Sequence, residues 1–102
     1  MKIELLYFED CPSYQTAEKL LREVLAEEGQ SAEIEKIVIE NDADAQRWKF
    51  PGSPTIRIDD VDPFLRSEGD YGIECRVFVT PNGLQGWPTK EMLREALKNI
   101  TR

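Results

Sequence analysis

Cys11 stands in the stretch Phe8-Glu9-Asp10-Cys11-Pro12-Ser13-Tyr14. A short apolar run, Ile3-Glu4-Leu5-Leu6-Tyr7, precedes it, and an amphipathic segment ending near Gly29 follows. The pattern predicts a strand that stops and a helix that begins, with Cys11 at the joint. Pro12 suits a first helical turn, where its missing N–H deprives no acceptor. The Cys11 sulfur is thereby set among unpaired backbone N–H groups at the positive end of a helix dipole. Such a place favours the thiolate, which is the reactive form of the side chain. Glu9 and Asp10 act the other way, because carboxylates beside a thiol oppose its ionisation.

The chain contains no histidine. Imidazole-based triads, Cys–His proteases and zinc sites with histidine ligands are therefore excluded. Two cysteines cannot supply the four ligands of a structural zinc site, and no metal site is expected. The acids Asp59, Asp60 and Asp62 lack the glycine and regular oxygen spacing of a calcium loop. They read as a solvated loop, or as a docking face for a basic partner.

The elements that must position Cys11 follow from periodicity. Residues 2–8 are apolar on both faces, as a central buried strand requires. From Pro12 to Glu28, Tyr14, Ala17, Leu21, Val24 and Leu25 recur at helical spacing, and Gly29 is a C-terminal stop. Residues 33–40 read as a second strand. Asn41 or Asp42 caps a short helix through about Lys49. Pro51, Gly52 and Pro54 break that helix, and residues 55–58 alternate as a third strand. The stretch 59–74 reads as a long loop carrying Asp59, Asp60, Asp62, Glu68, Asp70 and Glu74 against Arg66 alone. Residues 76–80 form a strand and Pro81-Asn82-Gly83 a turn. Met92, Leu93, Ala96, Leu97 and Ile100 are the apolar face of a last helix.

The order β-α-β-α-β-β-α predicts a mixed four-stranded sheet with helices on both faces. Its first crossover is parallel, and its later strands are antiparallel. The 102 residues form a single domain (1–102), long enough to bury roughly two thirds of the unfolded surface. A net charge of −7 argues against a nucleic-acid groove, which needs a basic stripe, and against an anionic membrane surface. Glu4 interrupts the first apolar run, so that run does not read as a secretory signal, and no stretch is long enough to span a bilayer. A cytoplasmic setting, with both thiols reduced at rest, is the expectation.

A strand, a Cys-Pro-x-x helix start (Cys11 to Tyr14) and Ser53-Pro54-Thr55 opening the third strand resemble the thioredoxin and glutaredoxin superfamily over nearly the whole chain. Residues 41–50 look like the family's second helix, and Asn82-Gly83-x-x-Gly86 looks like its last hairpin. The resemblance implies a thioredoxin-like fold, a cis peptide bond before Pro54 beside Cys11, and no cofactor. It also implies a thiol–disulfide oxidoreductase whose substrate, a protein or low-molecular-weight thiol or disulfide, meets Pro12, Ser13, Tyr14 and the Ser53–Thr55 backbone. More narrowly, Gly52 to Asp59 with Cys75-Arg76 looks like small thioredoxin-like proteins, some of which carry an alkylmercury-lyase label.

Where a dithiol enzyme has its second cysteine, this chain has Tyr14, so the site resembles a monothiol one. An external thiol would then resolve the adduct formed at Cys11. Glu9 and Asp10 occupy the place where glutaredoxins usually carry a basic residue. Leu5 stands where thioredoxins bury a carboxylate. Tyr14 also fits a core or rim aromatic, and Trp48 and Trp87 read as packing residues. Cys75, a possible second thiol, reads as a core residue at the start of its strand. Antiparallel pairing sets it about five residues, or roughly 15 Å, from the Cys11 end of the sheet. Two readings from other classes stay open: a non-catalytic peptide- or protein-binding module, and a soft-metal (mercurial) binder using one or both thiols.

Overall fold

Strand β1 (Ile3–Tyr7) is the axis of the molecule. In this computed structural model, which describes residues 1–64 and 71–100, β1 lies between β2 (Ile34–Val38) and β3 (Thr55–Ile58). Ile3 pairs with Ile34 in the parallel β1–β2 ladder and with Ile58 in the antiparallel β1–β3 ladder. Side chains alternate across a strand, so β1 feeds two cores. Ile3 and Leu5 pack with Ile56 and Ile58, with Ala17, Leu21 and Val24 of α1 (Ser13–Glu27), and with Leu93 and Leu97 of α3 (Lys90–Ile100). Leu6 packs on the other face with Ile39, Phe50 and Ala45 of α2 (Asp42–Trp48).

The local rules that predict the helices are visible at their ends. Asn41 caps α2, its side chain accepting from the Asp44 N–H at 2.8 Å, and Lys49 ends the helix in the left-handed region. Trp48 and Trp87 pack against the two cores, one on each. Among the described residues, no helix is long and apolar enough to cross a membrane.

Among the described residues the expected four-stranded sheet is not formed. The architecture is mixed α/β with a three-stranded sheet and a separate antiparallel ribbon, β4 (Phe78–Thr80) and β5 (Gly83–Gln85). The backbone at both ends of β3 is already committed. Ile58 pairs with Val61 across a tight turn in which Asp59 and Asp60 both have positive φ, and Ser53 bridges to Cys75. Strand β4 therefore starts at Phe78 rather than Arg76 and pairs with β5. The long loop begins as this two-residue hairpin, whose turn suits Asp. Of the loop and helix residues considered above, Arg66, Glu68, Asp70 and the Ile100 side chain lie outside the described residues.

Candidate functional site: a two-thiol contact at the start of α1

After β1 the chain turns through Glu9 and Asp10, and the Cys11 N–H donates to the Phe8 carbonyl at 3.1 Å. Pro12 is exposed and caps α1 in helical conformation. Cys11 is completely buried. Its thiol donates to the Ser53 carbonyl at 3.6 Å, so the start of α1 and the loop before β3 meet through this sulfur. The Ser53–Pro54 peptide bond is cis, and Pro54 is buried. Thr55 Oγ1 turns back to the Gly52 carbonyl at 2.6 Å, closing the loop on itself. Ser53 Oγ is buried with no hydrogen-bond partner among the described residues.

Cys75 is not a core residue, and it is not remote from Cys11. It is exposed, and its thiol donates to the Cys11 sulfur at 4.0 Å. The strand-spacing argument fails because residues 71–76 do not enter β4; they run as a strap alongside the Gly52–Pro54 loop. The Ser53 N–H donates to the Glu74 carbonyl and the Arg76 N–H to the Ser53 carbonyl, each at 2.9 Å, in a parallel bridge centred on Cys75. Farther back, the Gly72 N–H donates to the Phe50 carbonyl, and Gln46 Nε2 donates to the Tyr71 carbonyl. Both thiols are free. The Cys75 thiol is pushed up from its ordinary value, first by the partial loss of water around an otherwise exposed residue and then by its hydrogen bond to Cys11 and the charge there.

Asp62 is also unlike the solvated loop acid that composition suggests. Its carboxylate accepts two bonds from the Arg76 guanidinium, at 2.7 and 3.3 Å, and one from the Phe64 N–H at 2.9 Å. Arg76 lies 4.7 Å from the centroid of the Phe78 ring, which meets Phe64 edge-on. Asp59 and Asp60 are exposed and hold the Lys2 backbone and side chain instead. Sequence reasoning missed the pairing of Asp62 with Arg76 and the approach of Gly52 to the strap that carries Cys75. Only the Asp-x-Phe spacing, which suits a side chain bonding its own backbone two residues on, offered a signal for Asp62.

Tyr14 and Ser13, the other residues expected at the site, make contacts within the chain. Tyr14 stacks on Tyr7 with centroids 4.2 Å apart, under the Lys36 ammonium, in the rim role its helical spacing allows. Ser13 is half-buried against Gly86, where any β-carbon would collide with Ser13 Oγ. A cleft of about 380 Å³ opens beside the site, between Glu9, Asp10, Glu40, Phe8 and Ile73. Glu9 and Asp10 are the two residues before Cys11 in sequence, Glu40 comes from the segment after β2, and Ile73 lies two residues before Cys75.

No protein-family model, curated protein or solved structure matches this chain.

Proposed function

We propose that the protein is a thiol–disulfide redox protein of thioredoxin-like type, working through Cys11 and Cys75. The observation that carries this reading is the sulfur contact of 4.0 Å between one enclosed and one exposed thiol. A disulfide needs about 2.05 Å between sulfurs, so a shift of roughly 2 Å closes the bond. The parallel β1–α1–β2 unit, with Cys11 between strand and helix, supports the thioredoxin-like part of the reading. A cytoplasmic setting suits a pair that rests reduced.

In this reading the exposed thiol acts first. The Cys75 thiolate attacks one sulfur of a disulfide RSSR, forming Cys75–S–S–R and releasing RS⁻, which takes a proton. The Cys11 thiolate then attacks the Cys75 sulfur, forming the Cys11–Cys75 bond and releasing the second RS⁻. The protein loses two electrons and two protons, and RSSR becomes two RSH. The reverse sequence oxidises two external thiols. This differs from a monothiol cycle, in which a second external thiol would resolve the adduct at Cys11.

The test is the reaction of Cys11→Ser and Cys75→Ser with oxidised glutathione, followed by intact mass. Cys11→Ser should accumulate a mixed disulfide at Cys75. Cys75→Ser should react at least tenfold more slowly than the wild-type protein. Equal rates for Cys75→Ser and wild type would refute the dithiol cycle.

The same contact favours a second reading, a soft metal ion held between two thiolates. Mercurial titration separates the two: one equivalent that protects both thiols at once is the metal-binding outcome. A binding module using the Ser53 backbone is less favoured, because the strap already occupies both its N–H and its carbonyl.

A further inference from the structure

The strap that carries Cys75 is short, and most of its side chains face water: Ile73, Glu74 and Cys75 are exposed, as is Val77 beyond it. Its two backbone bonds to Ser53 contribute little by themselves, since water offers the same groups partners. Arg76 is the inward exception. Its side chain and that of Asp62 are 9% and 6% exposed, and their contact is bidentate. With the Phe64 N–H also on Asp62, the carboxylate is well supplied with donors, as a buried charge requires. Arg76 is the residue next to Cys75, and its own N–H makes one of the two strap bonds to Ser53. Anchoring the Arg76 guanidinium therefore restrains the adjoining Cys75, while the Gly72 and Tyr71 bonds hold the strap farther back.

We infer that Asp62 and Arg76 are positioning residues for the thiol pair: their buried ion pair latches the strap, holding Cys75 against Cys11 and closing Cys11 to outside molecules. Its consequence for redox chemistry rests on the function proposed above; the latch itself does not. Held in place, the two thiols meet at a high effective concentration, and the Cys11–Cys75 disulfide is harder to reduce. Released, the strap uncovers the Ser53 backbone and Cys11 together.

The experiment compares wild type with Asp62→Asn and with the double variant Asp62→Leu/Arg76→Met. The double variant replaces the pair by apolar groups and leaves no buried charge unpaired, so it is the one expected to fold if the single change does not. Peptide mass spectrometry reads iodoacetamide modification at each cysteine, and a dithiothreitol buffer reads the disulfide equilibrium. In a folded variant, Cys11 should be modified at least tenfold faster. Its disulfide should be at least tenfold easier to reduce, which for two electrons is about 30 mV. Asp60→Asn, which breaks only the exposed pair with Lys2, should change neither by more than twofold. A folded latch variant within twofold of wild type on both measures overturns the proposal.

If neither variant folds, the wild-type protein decides. Cys11 must react at least tenfold more slowly than Cys75, and the Ser53 and Arg76 amides must exchange together in deuterated water. Equal thiol rates, or exchange of those amides as in a free chain, overturn it. Failure of oxidised glutathione to produce a Cys11–Cys75 bond, with Cys11 still protected by Asp62, would remove the redox reading and leave the latch.

Discussion

Gly52 and Arg76 touch back to back: a β-carbon on Gly52 would stand 3.1 Å from the Arg76 Cβ and 3.2 Å from the Glu74 carbonyl oxygen. Gly52 also has φ +138°, which L side chains rarely adopt. The loop before Pro54 and the strap that carries Cys75 approach this closely only because residue 52 lacks a side chain.

Gly52→Ala should therefore strain the backbone and push the strap outward. We expect a loss of about 1–3 kcal/mol in urea unfolding. Iodoacetamide should reach Cys11 faster in the folded variant. A variant as stable as wild type, with Cys11 equally protected, would contradict the close packing of loop and strap.

Alkaline stability should depend on Cys75. Partial desolvation and the contact with Cys11 raise this thiol above its ordinary value of 9.0. Below that value both folded and unfolded chains keep the proton, and the stabilisation is fully present. As pH rises past 9.0 the unfolded chain ionises first, holds fewer protons than the folded one, and stability falls. The urea midpoint of wild type should drop more steeply between pH 9 and pH 10.5 than that of Cys75→Ser. Parallel curves would refute the assignment.

At the acid end, Glu18 is the informative carboxylate. Burial pushes it up, but hydrogen bonds and charge from Lys36 and Arg22 outweigh burial and leave it below its ordinary 4.5. Its stabilisation is present above 4.5 and is lost as pH falls through the lower folded value. Glu18→Gln should cost up to about 1 kcal/mol at pH 7 and flatten the stability curve below pH 4.5. Thermal melts from pH 2.5 to 7 would show whether the two curves converge in acid, as expected.

Charge beside the thiols should select among disulfides. Glu9, Asp10 and Glu40 line the adjoining cleft, and the whole chain carries −7. Cystamine, a dication, should react several-fold faster than oxidised glutathione at low salt, and the gap should narrow at 0.5 M NaCl as screening sets in. The combined Glu9→Gln/Asp10→Asn/Glu40→Gln variant should lose most of the preference. A preference unchanged in that variant would show that the net charge of the chain, not the cleft, sets it.

Much of this was legible in the chain itself. Strand β1, apolar on both faces, announced a central position, and Ala17, Leu21, Val24 and Leu25 at helical spacing gave α1 its buried face. The Asn41 cap and the breaks at Pro51, Gly52 and Pro54 bounded α2 and β3. These are signals within a few residues, and periodicity and capping report on that scale. Cys11 at the start of α1 belongs with them. The partner of Cys11 does not. Residues 71–77 alternate weakly and carry no cap or repeat, so nothing local says where they lie.

Their place was decided by tertiary structure alone. The bridge of Ser53 to Cys75 and the burial of Arg76 on Asp62 join segments distant in sequence. Such a pairing is set by backbone groups that must find partners and by charges that must not be buried alone, and neither demand shows in the spacing of one segment. A calculation along extended strands put the sulfurs far apart. The folded strap put them in contact, 64 positions apart in sequence and 4.0 Å apart in space.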